Sequence, residues 1–134
     1  MEDEMDKVAQ EIERFHLTDT STIKHRKLRI LQNITIDKDE LTHYYKLLTS
    51  YRYIDEVDEL RMGSYIRFFK LDTQSLDLGR GGFLADIQVV KQRIVLLFKN
   101  RNRFFKLKMD ECILFQKNTQ QENILIQILD QIKR

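Results

Sequence analysis

Apolar residues at the start of the chain recur at helical spacing. Met5, Val8, Ile12 and Phe15 fall three, four and three residues apart, one stripe of a helix over residues 3–16. The acids Glu2, Asp3, Glu4 and Asp6 suit the positive end of its dipole. About two heptads do not make a stable helix alone, so the stripe must pack on something. It either docks on its own domain or serves as a protein-interaction face, a dimer seam or partner-binding helix.

A polar break at residues 18–22 precedes Ile23, Leu28, Ile30, Leu31, Ile34 and Ile36, which alternate loosely with Lys24, Arg26, Lys27 and Arg29. A short helix over residues 22–33 is the preferred reading, with a strand as the alternative. Asp37 and Glu40 stand at N-cap and N3 spacing ahead of Leu41, Tyr44, Tyr45 and Leu48, predicting a helix over residues 38–50.

From Tyr51 the period changes. Residues 51–55, 64–71, 83–90, 93–99, 103–108 and 112–117 are short aromatic or β-branched runs, divided by glycines and by polar pairs such as Lys91-Gln92. Phe83, Ala85, Ile87 and Val89 alternate with Leu84, Asp86, Gln88 and Val90, a period of two. All glycines lie between Gly63 and Gly82, where bulges and sharp corners need them. A helix returns over residues 119–134, opened by the capping pair Thr119 and Glu122. It carries the stripe Leu125, Ile128, Leu129 and Ile132 and ends on Lys133 and Arg134. Ile124 and Ile126 widen its apolar face, so it is either wedged between the barrel and the N-terminal helices or reaches a second chain.

The expected fold is α+β. A small antiparallel, barrel-like (SH3-like) sheet of five or six strands carries N-terminal helices and a C-terminal helix. Residues 1–50 form a helical arm, 51–118 the β core, and 119–134 a helix packed on that core, within one domain.

Composition adds bounds. The chain has 134 residues, 42% hydrophobic and 33% charged, enough for one domain with a real core and too apolar for disorder. Its longest aliphatic or aromatic run, residues 94–98, falls far short of the ~20 residues that span a bilayer, and no membrane association is expected. The acidic start is unlike a signal peptide. A lone cysteine, Cys112, cannot form an internal disulfide, which points to a reducing intracellular compartment.

The net charge of +2 hides an asymmetry. Residues 1–20 hold seven acids and two bases, whereas residues 61–118 hold twelve bases and five acids. An acidic arm is joined to a basic body, the layout of a polyanion-binding face or of an arm that folds onto an opposite charge.

Candidate chemistry is sparse. No nucleophile elbow is present, and Cys112 sits in the apolar run Ile113, Leu114, Phe115, where a free cysteine acts as a small hydrophobe. His16, His25 and His43 lack metal-ligand spacing. Asp55, Glu56, Asp58 and Glu59 lack EF-hand order and read as a solvated turn or as a partner for the basic surface. The segment Gly79-Arg80-Gly81-Gly82 completes no phosphate-loop motif and reads as a structural corner. No catalytic residue, metal or cofactor is assigned, and no enzyme is expected.

One positive signal interleaves cations with rings: Arg67-Phe68-Phe69-Lys70 and the run from Lys99 to Lys106. Lys99, Arg101 and Arg103 share parity and could project together from a hairpin arm, giving phosphate contacts beside rings for base stacking. Arg67, Lys70, Lys99, Arg101, Arg103 and Lys106 are therefore the candidate nucleic-acid contacts. One ring of each Phe-Phe pair is expected in the core.

Leu60-Arg61-Met62-Gly63-Ser64-Tyr65-Ile66-Arg67-Phe68-Phe69, followed by Leu78-Gly79-Arg80-Gly81-Gly82-Phe83-Leu84, resembles a pattern in small, mostly uncharacterised β-module proteins of nucleocytoplasmic large DNA viruses. There a G-x-x-I/V-R-Y/F-F strand precedes a G-G-F-L strand, an I-x-L-x-N strand and a strand ending in I-F-x-K. Residues 94–100 and 113–117 are similar to the later pieces, so the resemblance covers about residues 51–117. The chain departs where Phe104-Phe105-Lys106 replaces a tryptophan-containing segment. The resemblance implies a viral origin, in the host cytoplasm or virion, and a compact β module with no catalytic residues to transfer. The leading expectation is a non-enzymatic protein-interaction or structural module, virion-associated, that meets a protein partner or itself through the terminal helices. The alternative is DNA or RNA binding on the basic, aromatic-rich sheet.

Overall fold

The chain alternates between the two expected grammars. In a computed structural model describing residues 3–73 and 75–132, α1 (Glu4–Arg14), α2 (Thr20–Ile34) and α3 (Lys38–Leu47) precede β1 (Tyr51–Ile54), β2 (Tyr65–Lys70), β3 (Gly82–Val90), β4 (Arg93–Asn100), β5 (Arg103–Lys108) and β6 (Cys112–Lys117). The chain closes on α4 (Gln120–Ile132), and single 3₁₀ turns at Val57–Glu59 and Met109–Glu111 lead into β2 and β6. Residues 22–33 are helical, so the preferred reading holds over the strand. The roles expected of Glu2, Lys133 and Arg134 at the helix ends lie outside the described residues.

Local signals explain the boundaries. Asp3 and Asp37 cap α1 and α3 by accepting from the amides of Asp6 and Glu40. Thr119 and Glu122 close both bonds of the expected capping box at α4. The two-residue turn Lys91-Gln92 has φ of 51° and 67°, the left-handed pair that a tight hairpin demands.

The six strands form an antiparallel sheet in the order β1-β6-β2-β3-β4-β5. The barrel expectation is corrected: β1 and β5 are the two edges and do not pair, so the sheet stays open. A physical reason lies at β1. Lys27 of α2 donates to the Tyr51 carbonyl at 2.8 Å, so a helix rather than another strand serves the backbone there.

Strand alternation sends side chains to two faces, and each has its own core. Ile54, Ile66, Phe68, Leu84, Leu96, Phe98, Leu107 and Leu114 fill the inner face. On the outer face Phe69, Ile113 and Phe115 pack under Leu31 and Leu48 of the α2–α3 segment. Fully burying each such side chain contributes about 1.5–3 kcal/mol. Phe68 and Phe69 are thus both buried, on opposite faces, which corrects the expectation of one core ring for that pair. The second pair behaves as expected, with Phe105 packed on the inner core and Phe104 exposed.

A third cluster joins Leu17, Leu125 and Ile126 to Val8, Ile12, Phe15 and Ile23. The acidic helix α1 therefore lies along α4, aided by a Gln121–Glu11 hydrogen bond of 2.8 Å. Among the described residues, no helix is long and apolar enough to cross a membrane.

Candidate nucleic-acid interface

The basic residues gather where the corner after β2 meets the β4–β5 hairpin. A cleft of about 1030 Å³ opens there, lined by Arg67, Arg80, Arg101 and Arg103 together with Asn100, Asn102 and Tyr65. Its lining includes no carboxylate, and among the described residues none of the four arginines is in a salt bridge. Four fixed positive charges with no counter-charge make a strongly positive concave surface.

The corner that carries Arg80 is built from below. Three consecutive carbonyls are each held by a side chain. Arg67 Nε donates to Gly79 O at 3.1 Å, Tyr65 Oη to Arg80 O at 2.6 Å, and Asn100 Nδ2 to Gly81 O at 2.7 Å. Gly81 is required: its φ is +89°, and a Cβ would stand 2.1 Å from the Ile66 carbonyl oxygen. The expected structural corner is thus real, and it also fixes one wall of the cleft.

The parity expected for Lys99, Arg101 and Arg103 does not survive the turn. Asn100 pairs with Arg103, and Arg101 occupies the turn between them at a φ of 57°. Arg101 and Arg103 line the cleft, whereas Lys99 points from the opposite face and its Nζ lies 5.6 Å over the Phe104 ring. A two-residue turn breaks strand alternation, so parity cannot be carried through it.

Cross-strand register then places an aromatic row on the outer face. Tyr65 pairs with Phe83, Phe83 with Lys99, and Lys99 with Phe104. Residues directly opposite in a sheet share a face. Phe83 and Phe104 remain 53% and 60% exposed, although Tyr65 and Phe83 rings meet edge-on at 5.0 Å. The α2–α3 segment packs over β1, β6 and β2 and leaves this part of the face open.

Of the remaining candidates, Lys106 lies one row further along the outer face, opposite Leu97. Lys70 pairs with Cys112 at the far end of β2, away from the cleft. Arg80, Tyr65, Asn100 and Asn102 were missed as site residues. Arg80 carries the visible signal, a lone cation inside a glycine corner, while the others join the site only through register.

The other charged clusters have structural duties. Glu59 is buried: its Oε1 accepts from the amides of Asp55 and Glu56 at 3.2 and 2.9 Å, which corrects the reading of the whole acidic cluster as a solvated turn. Buried Gln116 accepts from the Arg61 amide and the Ser64 hydroxyl and donates to the Glu59 carbonyl, tying the turn before β2 to β6. Lys27, one of the cations that alternate with the apolar residues of α2, is buried. Its Nζ reaches Leu48 O at 2.9 Å and Tyr51 O at 2.8 Å. Burial, helped by the charge of Lys24, lowers its pKa to about 8.

Cys112 is half-buried, and burial pushes its thiol up to about 11, against the activated thiolate a nucleophile needs. Among the described residues no group of three His, Cys, Asp or Glu side chains could hold a metal ion. Met5, Val8, Ile12 and Phe15 do share one face of α1. Val8, Ile12 and Phe15 pack with α4, whereas Met5 is 67% exposed. No family model, curated protein or solved structure matches the chain.

Proposed function

We propose that this protein is a nucleic-acid-binding module that takes a phosphate backbone into the arginine cleft beside the β4–β5 hairpin. The observation that carries this is the convergence of Arg67, Arg80, Arg101 and Arg103 on one concave surface without a carboxylate. Arginine forks match phosphate oxygens in pairs, and Asn100 and Asn102 add neutral hydrogen-bonding groups. The position of α1 supports the same reading, since its apolar stripe packs with α4 and none of its acids lines the cleft. Within this proposal β2 to β6 make an SH3-like unit. The strands β2 to β5 run in sequence, and the 3₁₀ turn Met109–Glu111 returns the chain to β6 beside β2.

Fluorescence anisotropy with labelled DNA and RNA, titrated against salt, tests it. Binding should be strong at low ionic strength and fall with a slope of about 0.7–0.9 per neutralised phosphate on logarithmic axes. The double variant Arg101→Glu/Arg103→Glu should bind weakly with a shallower slope. Absence of binding at low salt rejects the proposal.

A second reading is supported by the ends of the chain. No residue of α1 is buried, and Met5, Ile124 and Ile132 are 67%, 51% and 69% exposed on the paired terminal helices. We propose these as a protein-interaction face, self-associating or, following the viral resemblance of residues 51–117, meeting another virion component. Light scattering of the wild type and of Met5→Glu/Ile132→Glu would test self-association, and a pull-down from infected cells the other partner. A monomer that captures no specific partner sinks it.

A further inference from the structure

We infer that the nucleic acid is single-stranded, its phosphates in the arginine cleft and its bases stacked on the row formed by Phe83 and Phe104; this rests on the nucleic-acid reading above. Three observations carry it. The first is the exposure of the two rings, 53% and 60%, on a part of the sheet that α2 and α3 leave uncovered. Burying either ring against a base removes apolar surface from water, and every base offers a π-face of matching size.

The second is spacing. Phe83 and Phe104 are separated across the sheet by Lys99 alone, because each is its direct cross-strand partner. Two strand spacings amount to about 10 Å. That exceeds the rise between stacked bases in a duplex, about 3.4 Å per strand, so the row suits unstacked bases that are splayed apart. Lys99, its Nζ near the Phe104 ring, stands between the two positions as a cation for the intervening phosphate.

The third is continuity with the cleft. Tyr65 belongs to both: it lines the cleft and meets the Phe83 ring. Arg67, also in the cleft, follows two residues after Tyr65 on the same face of β2, whereas Arg103 leaves β5 on the face opposite Phe104. A strand whose bases lie on the row therefore reaches the cleft from its Tyr65, Arg67 and Arg80 side. A duplex keeps its bases inside the stack, and the exposed rings gain nothing from it.

The test uses the full chain with three labelled probes: a single-stranded oligonucleotide, an abasic strand of equal length, and the corresponding duplex. The single strand should bind more tightly than the abasic strand by about 5- to 100-fold, the effect of stacking one base or more. Phe104→Ala and Phe83→Ala should reduce this difference, and Phe104→Trp should keep it. Because both positions are exposed, unchanged thermal unfolding of Phe104→Trp controls for folding. Equal binding of the normal and abasic strands, or of single strand and duplex, overturns the inference and leaves the arginine cleft standing. No binding to any probe at low salt removes the cleft reading and the inference with it.

Discussion

Arg52 Nη2 donates to Glu122 Oε2 at 2.7 Å, so the first strand of the sheet grips the N-terminus of the last helix. Both side chains are buried, and Arg61 adds a longer contact of 3.5 Å to the same carboxylate. Burial by itself raises the Glu122 pKa, but the Arg52 bond and charge, the Thr119 amide and Arg61 outweigh it and hold it below the ordinary 4.5.

Glu122→Gln leaves two guanidinium groups without their counter-charge and should cost about 3 kcal/mol, measured by urea unfolding. The pH dependence has a definite sign. A depressed carboxylate contributes stability that is complete above its unfolded value and is lost as pH falls through the folded one. The wild type should therefore lose its advantage over Glu122→Gln below about pH 4.5.

Lys27 gives the opposite window. Its folded pKa of about 8 lies below the unfolded 10.5, so the unfolded chain holds this proton more tightly. Keeping the buried ammonium charged costs stability below pH 8, and that cost is relieved as pH rises from about 8 to 10.5. Lys27→Met removes the charge but strands the Tyr51 carbonyl and leaves the Leu48 carbonyl with the Tyr51 amide, a net loss of about 1–3 kcal/mol at neutral pH. The gap between wild type and variant should widen across that alkaline window in paired unfolding curves.

The glycines separate conformation from space. Gly63 has a φ of +82° with nothing within 4 Å of a Cβ, so Gly63→Ala should cost only about 1–2 kcal/mol. At Gly81 a Cβ added to the same left-handed backbone would stand 2.1 Å from the Ile66 carbonyl oxygen. Gly81→Ala must move β2 or the corner, and should cost at least about 3 kcal/mol and spoil the cleft. Thermal unfolding of the two variants side by side, with oligonucleotide binding for Gly81→Ala, checks both.

Cys112 should be a slow nucleophile. With its thiol at about 11, little thiolate exists at pH 8, and the group is half-buried beside the inner core. Reaction with an aromatic disulfide reagent should be slow in the native protein and accelerate sharply in denaturant. Rapid native labelling would contradict the burial of this sulfur.

Much of the fold was legible because its elements are locally consistent. The stripe of α1 and the caps at Asp37 and Thr119 each depend on residues within a few positions of one another. The period of two expected through β3 is corrected: a bulge between Leu84 and Asp86 shifts its phase, so Leu84 and Ile87 both reach the inner core. Barrel closure was not legible, since whether β5 meets β1 depends on what else reaches β1, and Lys27 of α2 does. The candidate site divides the same way. Arg67, Arg101 and Arg103 were visible as cations among rings. Arg80 was hidden in a corner, and Lys70 was included only because it is near Phe69 in the chain.

By itself the amino-acid sequence determined the helices, the strands, the glycine corners and the split between an acidic arm and a basic body, because these follow from local spacing and composition. Only the tertiary structure decided where that charge goes. Buried partners claimed Lys27, Arg52 and Glu59, which local chemistry does not distinguish from surface residues. Strand register brought Phe83 and Phe104 to one face and four arginines to one cleft. The docking of α1 on α4 left that cleft open, since burying apolar stripes against each other outweighs screened attraction between surface charges.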